Sequence, residues 1–387
     1  MNSAYADLHG AKQRAALSQL TAQHANIIAA LALLTDRDLD EDETLFVARL
    51  RNYWRDRGLA PEGGQWVRRL LTTTTRQLNR AYLLASIALL EFDYGDITAT
   101  EAPALEAESI FQAADHRPGL AEILSMRGLI ALRRDNAATA IPLLKQPARI
   151  WSEIEKDGLK GQDSAYEKTI DTTANFAISL VNLGNAYFAG GDYEAARRLF
   201  QTSTNLFRGL EDERSTLLSM LNKARAEHAL GRIGAAKALV EETKRISRES
   251  GDTMIYGFAL HAEALIDYAQ GDYSTSLDLA RQSLDFLGNF EQGFEYIDGL
   301  ELVAAALAGL GQLESALAVY GIADGLRDRY VATASRAQRE RRESALDSIR
   351  ERIAPSNFDY AQTLGRLMAE RTNTLVMVSA ELASILG

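Results

Sequence analysis

Cysteine is absent from the 387-residue chain, and its absence removes several kinds of chemistry at once. Without a thiol the chain has no disulfide bond, no thiolate zinc site and no cysteine nucleophile. A chain without cysteine suits the reducing environment of the cytoplasm, and we expect a cytoplasmic protein.

Proline and long apolar runs are also scarce. The chain has 6 prolines, and few helix breakers among many alanines and leucines favour helix over strand. The apolar run "IIAALALL" at 27–34 is far shorter than the roughly 20 residues that cross a bilayer. The N-terminus, "MNSAYADLHGAKQ", lacks the basic and then apolar layout of a secretion signal. We therefore expect no membrane association.

Basic residues are in the minority: 42 Lys and Arg against 53 Asp and Glu give a net charge of −11. Proteins that bind nucleic acid usually present a basic surface to the phosphates, so we expect no direct nucleic-acid contact. The motifs G-x-x-x-x-G-K-[ST], G-x-S-x-G and H-E-x-x-H are all missing. These absences predict a protein that is not an enzyme and that uses no metal or cofactor.

Glycines recur at a fixed spacing in the second half of the chain. Gly191, Gly231, Gly271 and Gly311 are 40 residues apart and open the similar stretches "GDYEAA", "GRIGAA", "GDYSTS" and "GQLESA". A small residue follows each of these glycines by five positions, and another precedes it by seven. Small residues on both sides of a turn let two helices approach closely, since bulky ones would overpack the contact. The pattern predicts an array of helical hairpins, each packed on its neighbours.

Earlier turns extend the array toward the N-terminus. The small residues that we assign to hairpin contacts are Gly63, Ala140, Gly184, Ala196, Ala236, Ser276 and Ala316. The predicted fold is all-α, a right-handed α–α superhelix of about seven hairpins with terminal helices. Its parts are an N-terminal helix or cap over 1–37, repeats over 38–330 with an insertion loop at 157–170, and a C-terminal helical cap over 331–387. The cap is predicted to hold helices near 335–353, 357–370 and 374–386.

The stretch "RGLAPEGGQW" at 57–66 has the glycines of a phosphate-binding loop, but it has neither a preceding strand nor a following GK[ST]. It is better explained as the turn of the first hairpin. Gly58 ends one helix and Pro61 lies in the first turn of the next, where its missing amide costs little. Trp66 is then expected to face the core.

The stretch "LVNLGNAYFAGGDYEAARRLF" at 180–200 resembles the tetratricopeptide repeat. The residues in that family's phase are Leu183, Gly184, Tyr187, Gly191, Tyr193, Ala196 and Phe200. The spacing of 40 residues exceeds the usual length of about 34 for that repeat, so we expect longer helices or linkers. The resemblance implies a TPR-like solenoid in which the first helix of each hairpin lines a concave groove.

Candidate groove residues lie at related positions of these first helices. Paired asparagines can grip a peptide backbone, since each amide offers a donor and an acceptor, and aromatic residues in phase can form an apolar shelf. The alternative is that the asparagines join helices and the aromatics belong to the core. The candidates for a ligand or peptide groove are Asn182, Asn185, Phe188, Asn222, Arg225, His228, His261 and Tyr268.

Two further features have competing interpretations. His228 and His261 could approach each other across neighbouring hairpins, but solvated or hydrogen-bonded histidines are favoured over a metal site. The basic stretch at 327–352 interleaves Arg with Glu and Asp, which favours a solvated helix with i,i+4 ion pairs over a contact with phosphate or a partner.

The two ends of the chain resemble the helical-repeat sensor region of large bacterial signal-transduction ATPases, which include maltose-type and LuxR-type transcriptional activators and cyclase-linked relatives. Two short motifs and the tail "FDYAQTLGRLMAERTNTLVMVSAEL" carry the resemblance. The motif residues are His24, Asn26, Ile27, Ala30 and Leu31, then Gly58, Glu62, Gly63 and Trp66.

This resemblance implies a non-enzymatic recognition module, the sensing arm of an ATPase-coupled regulator of transcription or signalling. Its partners would be a protein or peptide, or a small-molecule effector, with an ATPase domain in the same or another chain. The alternative is a free-standing TPR-like scaffold or adaptor that binds a protein or peptide in its concave groove. An enzyme with a site assembled in space is the third possibility.

Overall fold

A computed structural model describes residues 13–94, 97–157, 171–287, 293–330, 334 and 336–371. These residues form eighteen α-helices and no strand. Most of the predicted insertion loop at 157–170 and the predicted helix at 374–386 lie outside the described residues. Within the described part, no helix is both long and apolar enough to cross a membrane.

The chain divides into two compact units, unit 1 at Met1–Ser219 and unit 2 at Met220–Gly387. The helices of unit 1 are α1 Gln13–Ala22, α2 His24–Leu34, α3 Glu41–Asp56, α4 Ala60–Leu71, α5 Gln77–Tyr94, α6 Ile97–Ala113, α7 Arg117–Arg133, α8 Ala137–Asp157, α9 Thr172–Ala189 and α10 Tyr193–Gly209. Helix α11, Glu213–Ala229, contains the division between the units. Unit 2 continues with α12 Ile233–Ser250, α13 Thr253–Ala269, α14 Tyr273–Leu287, α15 Gly293–Gly309, α16 Leu313–Tyr330, α17 Arg336–Arg350 and α18 Pro355–Arg371.

The recurring glycines are the turn residues of the hairpins. Gly191, Gly231, Gly271 and Gly311 have φ angles of 84°, 75°, 81° and 81°, the left-handed conformation that side chains disfavour. At two of these turns the next residue caps the following helix: Asp192 accepts a hydrogen bond from the amide of Ala195 at 2.9 Å, and Asp272 accepts one from the amide of Thr275 at 3.1 Å. Two helices of 15 to 18 residues and the turns beside them make up each 40-residue period.

The small residues lie where the two helices of a hairpin meet. All seven assigned contact positions are buried: Gly63, Ala140, Gly184, Ala196, Ala236, Ser276 and Ala316. Ser276 Oγ donates to the carbonyl of Ala264 at 2.8 Å, which joins the small residue after the turn to the one before it. A Cβ added to Gly184 would come within 2.6 Å of the Phe200 ring. Larger side chains here would separate the helices.

The predicted first corner forms around Trp54, with Trp66 at the edge of the same core. Trp54 is 1% exposed, and a Cβ on Gly63 would overlap its indole ring. Trp66 is half-buried and packs against the edge of the same apolar core, as expected, while the flat ring of Trp54 fills the space that Gly63 leaves. His24 Nδ1 lies 2.9 Å from Tyr53 Oη, so the two N-terminal motifs share this packing.

The conformation of the turn glycines predicts unequal effects of substitution. Gly191→Ala forces a side chain into positive φ and should lower the free energy of unfolding by about 1–2 kcal/mol. Gly209→Ala is the matched control: it lies in α10, a Cβ there meets nothing within 4 Å, and the effect should be neutral or stabilising by up to about 1 kcal/mol. Urea unfolding of both variants measures the difference, and equal effects would contradict the assignment.

Candidate functional site

In unit 1, the predicted groove residues lie on α9 and are all partly exposed. Asn182 and Asn185 are one turn apart, on the same side of the helix. The Phe188 ring is 5.1 Å from the ring of Tyr193, across the turn that leads into α10. Phe188 thus packs within its own hairpin.

In unit 2, three predicted residues share α11. Asn222 and His228 are partly exposed and Arg225 is exposed. The Asn222 side-chain oxygen accepts a hydrogen bond from Arg225 Nη1 at 3.3 Å. The asparagine therefore helps to orient the guanidinium along the helix surface.

The other two predicted residues lie on α13, which shares an apolar core with α11 and α12. The Tyr268 ring is 5.4 Å from that of Tyr273, in the same arrangement across a turn as Phe188 and Tyr193. His261 Nε2 lies 3.0 Å from an oxygen of Asp298 on α15. We refer to Asn222, Arg225, His228, His261 and Tyr268 as the recognition face.

Asp298 is the charge around which this part of unit 2 is organised. Arg341 from α17 donates to its Oδ1, and His261 contacts its Oδ2. Burial alone would raise the pKa of Asp298, but the charges of Arg341 and His261 outweigh it and hold that pKa well below its usual range. The ionised carboxylate thereby joins α13, α15 and α17.

A second set of ion pairs extends from this centre. The Glu301 carboxylate is 1% exposed and lies 2.7 Å from Arg327 Nη2 and 3.1 Å from Arg342 Nη1. Arg342 Nη1 also lies 2.7 Å from Asp324, which accepts from Gln362 Nε2 at 3.2 Å. These contacts connect α15, α16, α17 and α18.

The basic stretch at 327–352 is only partly the solvated helix that its sequence predicts. Arg336 and Glu340 form the expected exposed i,i+4 pair, with 2.7 Å between Nε and Oε1. For Arg341 and Arg342 the prediction is wrong, because both are largely buried against carboxylates of other helices. Asp298, Glu301 and Asp324 are 18 to 43 residues from these arginines in sequence, beyond the reach of a helical charge pattern.

The side chains of the recognition face keep contact with solvent, although other parts of the protein pack around them. Desolvation by surrounding protein lowers the pKa of the exposed Arg225 guanidinium, an effect that the nearby charge of Asp298 opposes. Burial likewise lowers the pKa of His228 and raises that of Tyr268, although both keep solvent contact. These side chains thus combine solvent contact with partial desolvation, which strengthens their interaction with a polar ligand group.

Buried polar atoms without partners concentrate near the same place. Within the described part of the chain, His261 Nδ1, Arg341 Nε, Glu301 Oε2 and Tyr320 Oη are buried and have no hydrogen-bond partner. Buried polar atoms are usually satisfied by protein or by ordered water. These atoms therefore offer hydrogen bonds to water or to a polar group of a ligand. The described residues contain no group of three or more His, Asp or Glu that could hold a metal ion.

The Asp298 centre predicts a pH-dependent loss of stability. Asp298→Asn leaves Arg341 and His261 without their buried counter-charge and should lower the free energy of unfolding by about 3 kcal/mol at neutral pH. Because the folded-state pKa of Asp298 is depressed, the wild type loses this contribution as pH falls below the unfolded value of about 4, and the difference should shrink.

Denaturant titrations between pH 7 and pH 3 measure this difference. Asp347→Asn is the control, because Asp347 pairs with Arg350 on the surface of α17 and should change stability by less than about 0.5 kcal/mol. A gap between wild type and Asp298→Asn that stays constant down to pH 3 would contradict the account.

Comparison with known proteins identifies the repeat type. The profile of the tetratricopeptide repeat matches residues 175–249, which include α10, α11 and most of α9 and α12. No curated protein sequence matches the chain.

Several solved structures share the fold. A Rap protein complexed with competence and sporulation factor has a TM-score of 0.60 and 14% identity, over 95% of this chain and 94% of that one. NprR in complex with its cognate peptide NprX has a TM-score of 0.53 and 14% identity, over 86% of this chain and 99% of that one. The apo form of the quorum sensor NprR from B. thuringiensis has a TM-score of 0.51 and 13% identity, over 89% and 99%. At these identities the likeness concerns the fold, and the prediction of an all-helical array of TPR-like repeats is confirmed.

Proposed function

We propose that this chain is a non-enzymatic recognition module that binds an extended peptide segment of a partner on the recognition face of unit 2. The observation that carries the proposal is Arg225, an exposed cation that Asn222 holds on the surface of α11, close to the buried charge of Asp298. A ligand that covers Arg225 excludes water from the guanidinium, so that their hydrogen bonds form at a lower local dielectric than on an open surface.

The chemistry around Arg225 favours a ligand with a carboxylate and free backbone amides. A guanidinium binds a carboxylate through two parallel hydrogen bonds. Asn222 supplies an amide one turn away, and Tyr268 supplies a half-buried ring for an apolar side chain. An extended peptide with one acidic group fits these donors better than a purely apolar ligand does.

The solved structures with the same fold favour the adaptor interpretation over the ATPase-coupled one. NprR was crystallised with a cognate peptide and the Rap protein with competence and sporulation factor, and the fold of this chain resembles both. The sensing arm of an ATPase-coupled regulator rests on the short motifs at the two ends of the chain. The role as a sensing arm stays a prediction. The same holds for an ATPase domain as partner and for a small-molecule effector.

The candidate groove of unit 1 is the second part of this proposal. Asn182 and Asn185 are partly exposed on successive turns of α9, and within the described residues neither side chain has a hydrogen-bond partner. Their amides are available to the backbone of a ligand. Substitution of these asparagines tests unit 1 separately from unit 2.

Selection from a displayed library of random peptides, with the full chain as bait, tests the proposal. We expect selected peptides to be enriched in Asp or Glu, and Arg225→Ala to weaken their binding by about tenfold or more, since a charge-assisted hydrogen bond is worth about 1.5–3 kcal/mol.

Arg245→Ala is the matched control, because Arg245 is exposed on α12 and pairs with Glu249. Its binding should equal that of the wild type in fluorescence anisotropy. Equal affinities for the Arg225→Ala and wild-type chains would exclude the recognition face as the binding site, and failure to enrich any sequence would contradict peptide recognition itself.

A further inference from the structure

A cleft opens in unit 1 between two neighbouring hairpins. It is lined by residues of α6, α7 and α8 and of the turn that joins α7 to α8, and the space inside it is about 160 Å³. An apolar cavity of about 150 Å³ accommodates benzene, so the cleft has room for one group of the size of a ring. The predicted groove residues of unit 1 lie on α9 and take no part in this lining.

One part of the cleft lining is apolar. Leu105 of α6 is 53% exposed, and Leu143 of α8 is half-buried. Ala104 and Ile130 also line the cleft and belong to the buried core of this part of the unit. A ligand that covers Leu105 removes apolar surface from water, which favours binding.

The other part of the lining carries two arginines with unused donors. Arg127 Nη1 donates to Glu108, and Arg134 Nη1 donates to Glu101. A guanidinium has five N–H donors, and within the described residues neither arginine has a further hydrogen-bond partner. The side-chain amide of Asn136 adds two N–H donors, since in the same part of the chain only its oxygen is used. These donors are available to the oxygens of a ligand.

The two positive charges act on the same part of the cleft. The hydrogen bond from Arg134 lowers the pKa of Glu101, and the charge of Arg127 lowers that pKa further, although Arg127 is bonded to a different carboxylate. Two arginines and one glutamate line the cleft, so its lining is net positive in a chain of net charge −11. The local field therefore favours an anionic group over a cationic one.

We propose that this cleft is a second ligand site, separate from the recognition face, and that it binds a small carboxylate with one apolar ring or branched chain. The carboxylate accepts hydrogen bonds from Arg127 and Arg134, and the apolar group lies against Leu105 and Leu143. An uncharged apolar ligand would leave the arginine donors unused and is the weaker candidate.

A fluorine NMR titration of the full chain with para-fluorophenylacetate tests the proposal. We expect saturable line broadening of the probe. Arg134→Gln should weaken its binding by about tenfold, since a hydrogen bond to a charged group is lost. Arg117→Gln is the matched control, because Arg117 pairs with Glu153 between α7 and α8 and lies outside the cleft lining. Its affinity for the probe should equal that of the wild type.

A second pair of variants tests the position of the site without a change of charge. Thr139 lines the cleft on α8, and Thr139→Trp places a ring in the space that the ligand needs, so binding should be lost. Ala138→Trp is the control, because Ala138 is the exposed neighbour of Thr139 and lies outside the lining. Circular dichroism of each variant establishes that it is folded.

The neutral analogue para-fluorophenylacetamide separates the carboxylate from the ring. It should bind about tenfold more weakly than the acid. Equal affinities for the acid and the amide, no saturable binding of the acid, or unchanged binding by the Thr139→Trp chain would each overturn the proposal. Loss of binding in Arg225→Ala but not in Arg134→Gln would assign the carboxylate to the recognition face and overturn it as well.

Discussion

A single buried carboxylate organises unit 2. Asp298 is held ionised by Arg341 on one side and His261 on the other, so its charge joins three helices that are far apart in sequence. Arg225 lies close enough to feel the same charge while its side chain stays open to solvent. The proposed binding surface thus shares an electrostatic centre with the fold, because the charge of Asp298 that holds α17 also acts on the Arg225 guanidinium.

The hairpin fold and the proposed recognition face depend on different residues of the sequence. The hairpins depend on backbone geometry: a residue in positive φ at each turn and small residues where two helices meet, as at Gly271 and Ser276. The proposed recognition face is made of side chains such as Arg225 and His261, which lie outside the turns. This separation is what lets a repeat fold carry different specificities on one scaffold.

Much of the fold could be predicted from the sequence, because its signals are local. Gly191 and the capping Asp192, for example, lie within the turn and the helix start that they determine. The ion pairs around Asp298 could not be predicted from the sequence. Arg341 is 43 residues away from Asp298 and lies in a helix whose alternating charges indicate solvent exposure. A signal for the pairing of Phe188 with Tyr193 was present, because the two rings are five residues apart across a predicted turn.

The claim that unit 2 recognises an extended peptide is tested most directly by amide hydrogen exchange of the full chain, with and without a saturating peptide from the selection. The account predicts slower exchange in α11 and α13, the helices that carry Arg225 and His261, and little change in α6 and α8. Protection confined to α6 and α8, with α11 and α13 unaffected, would contradict it.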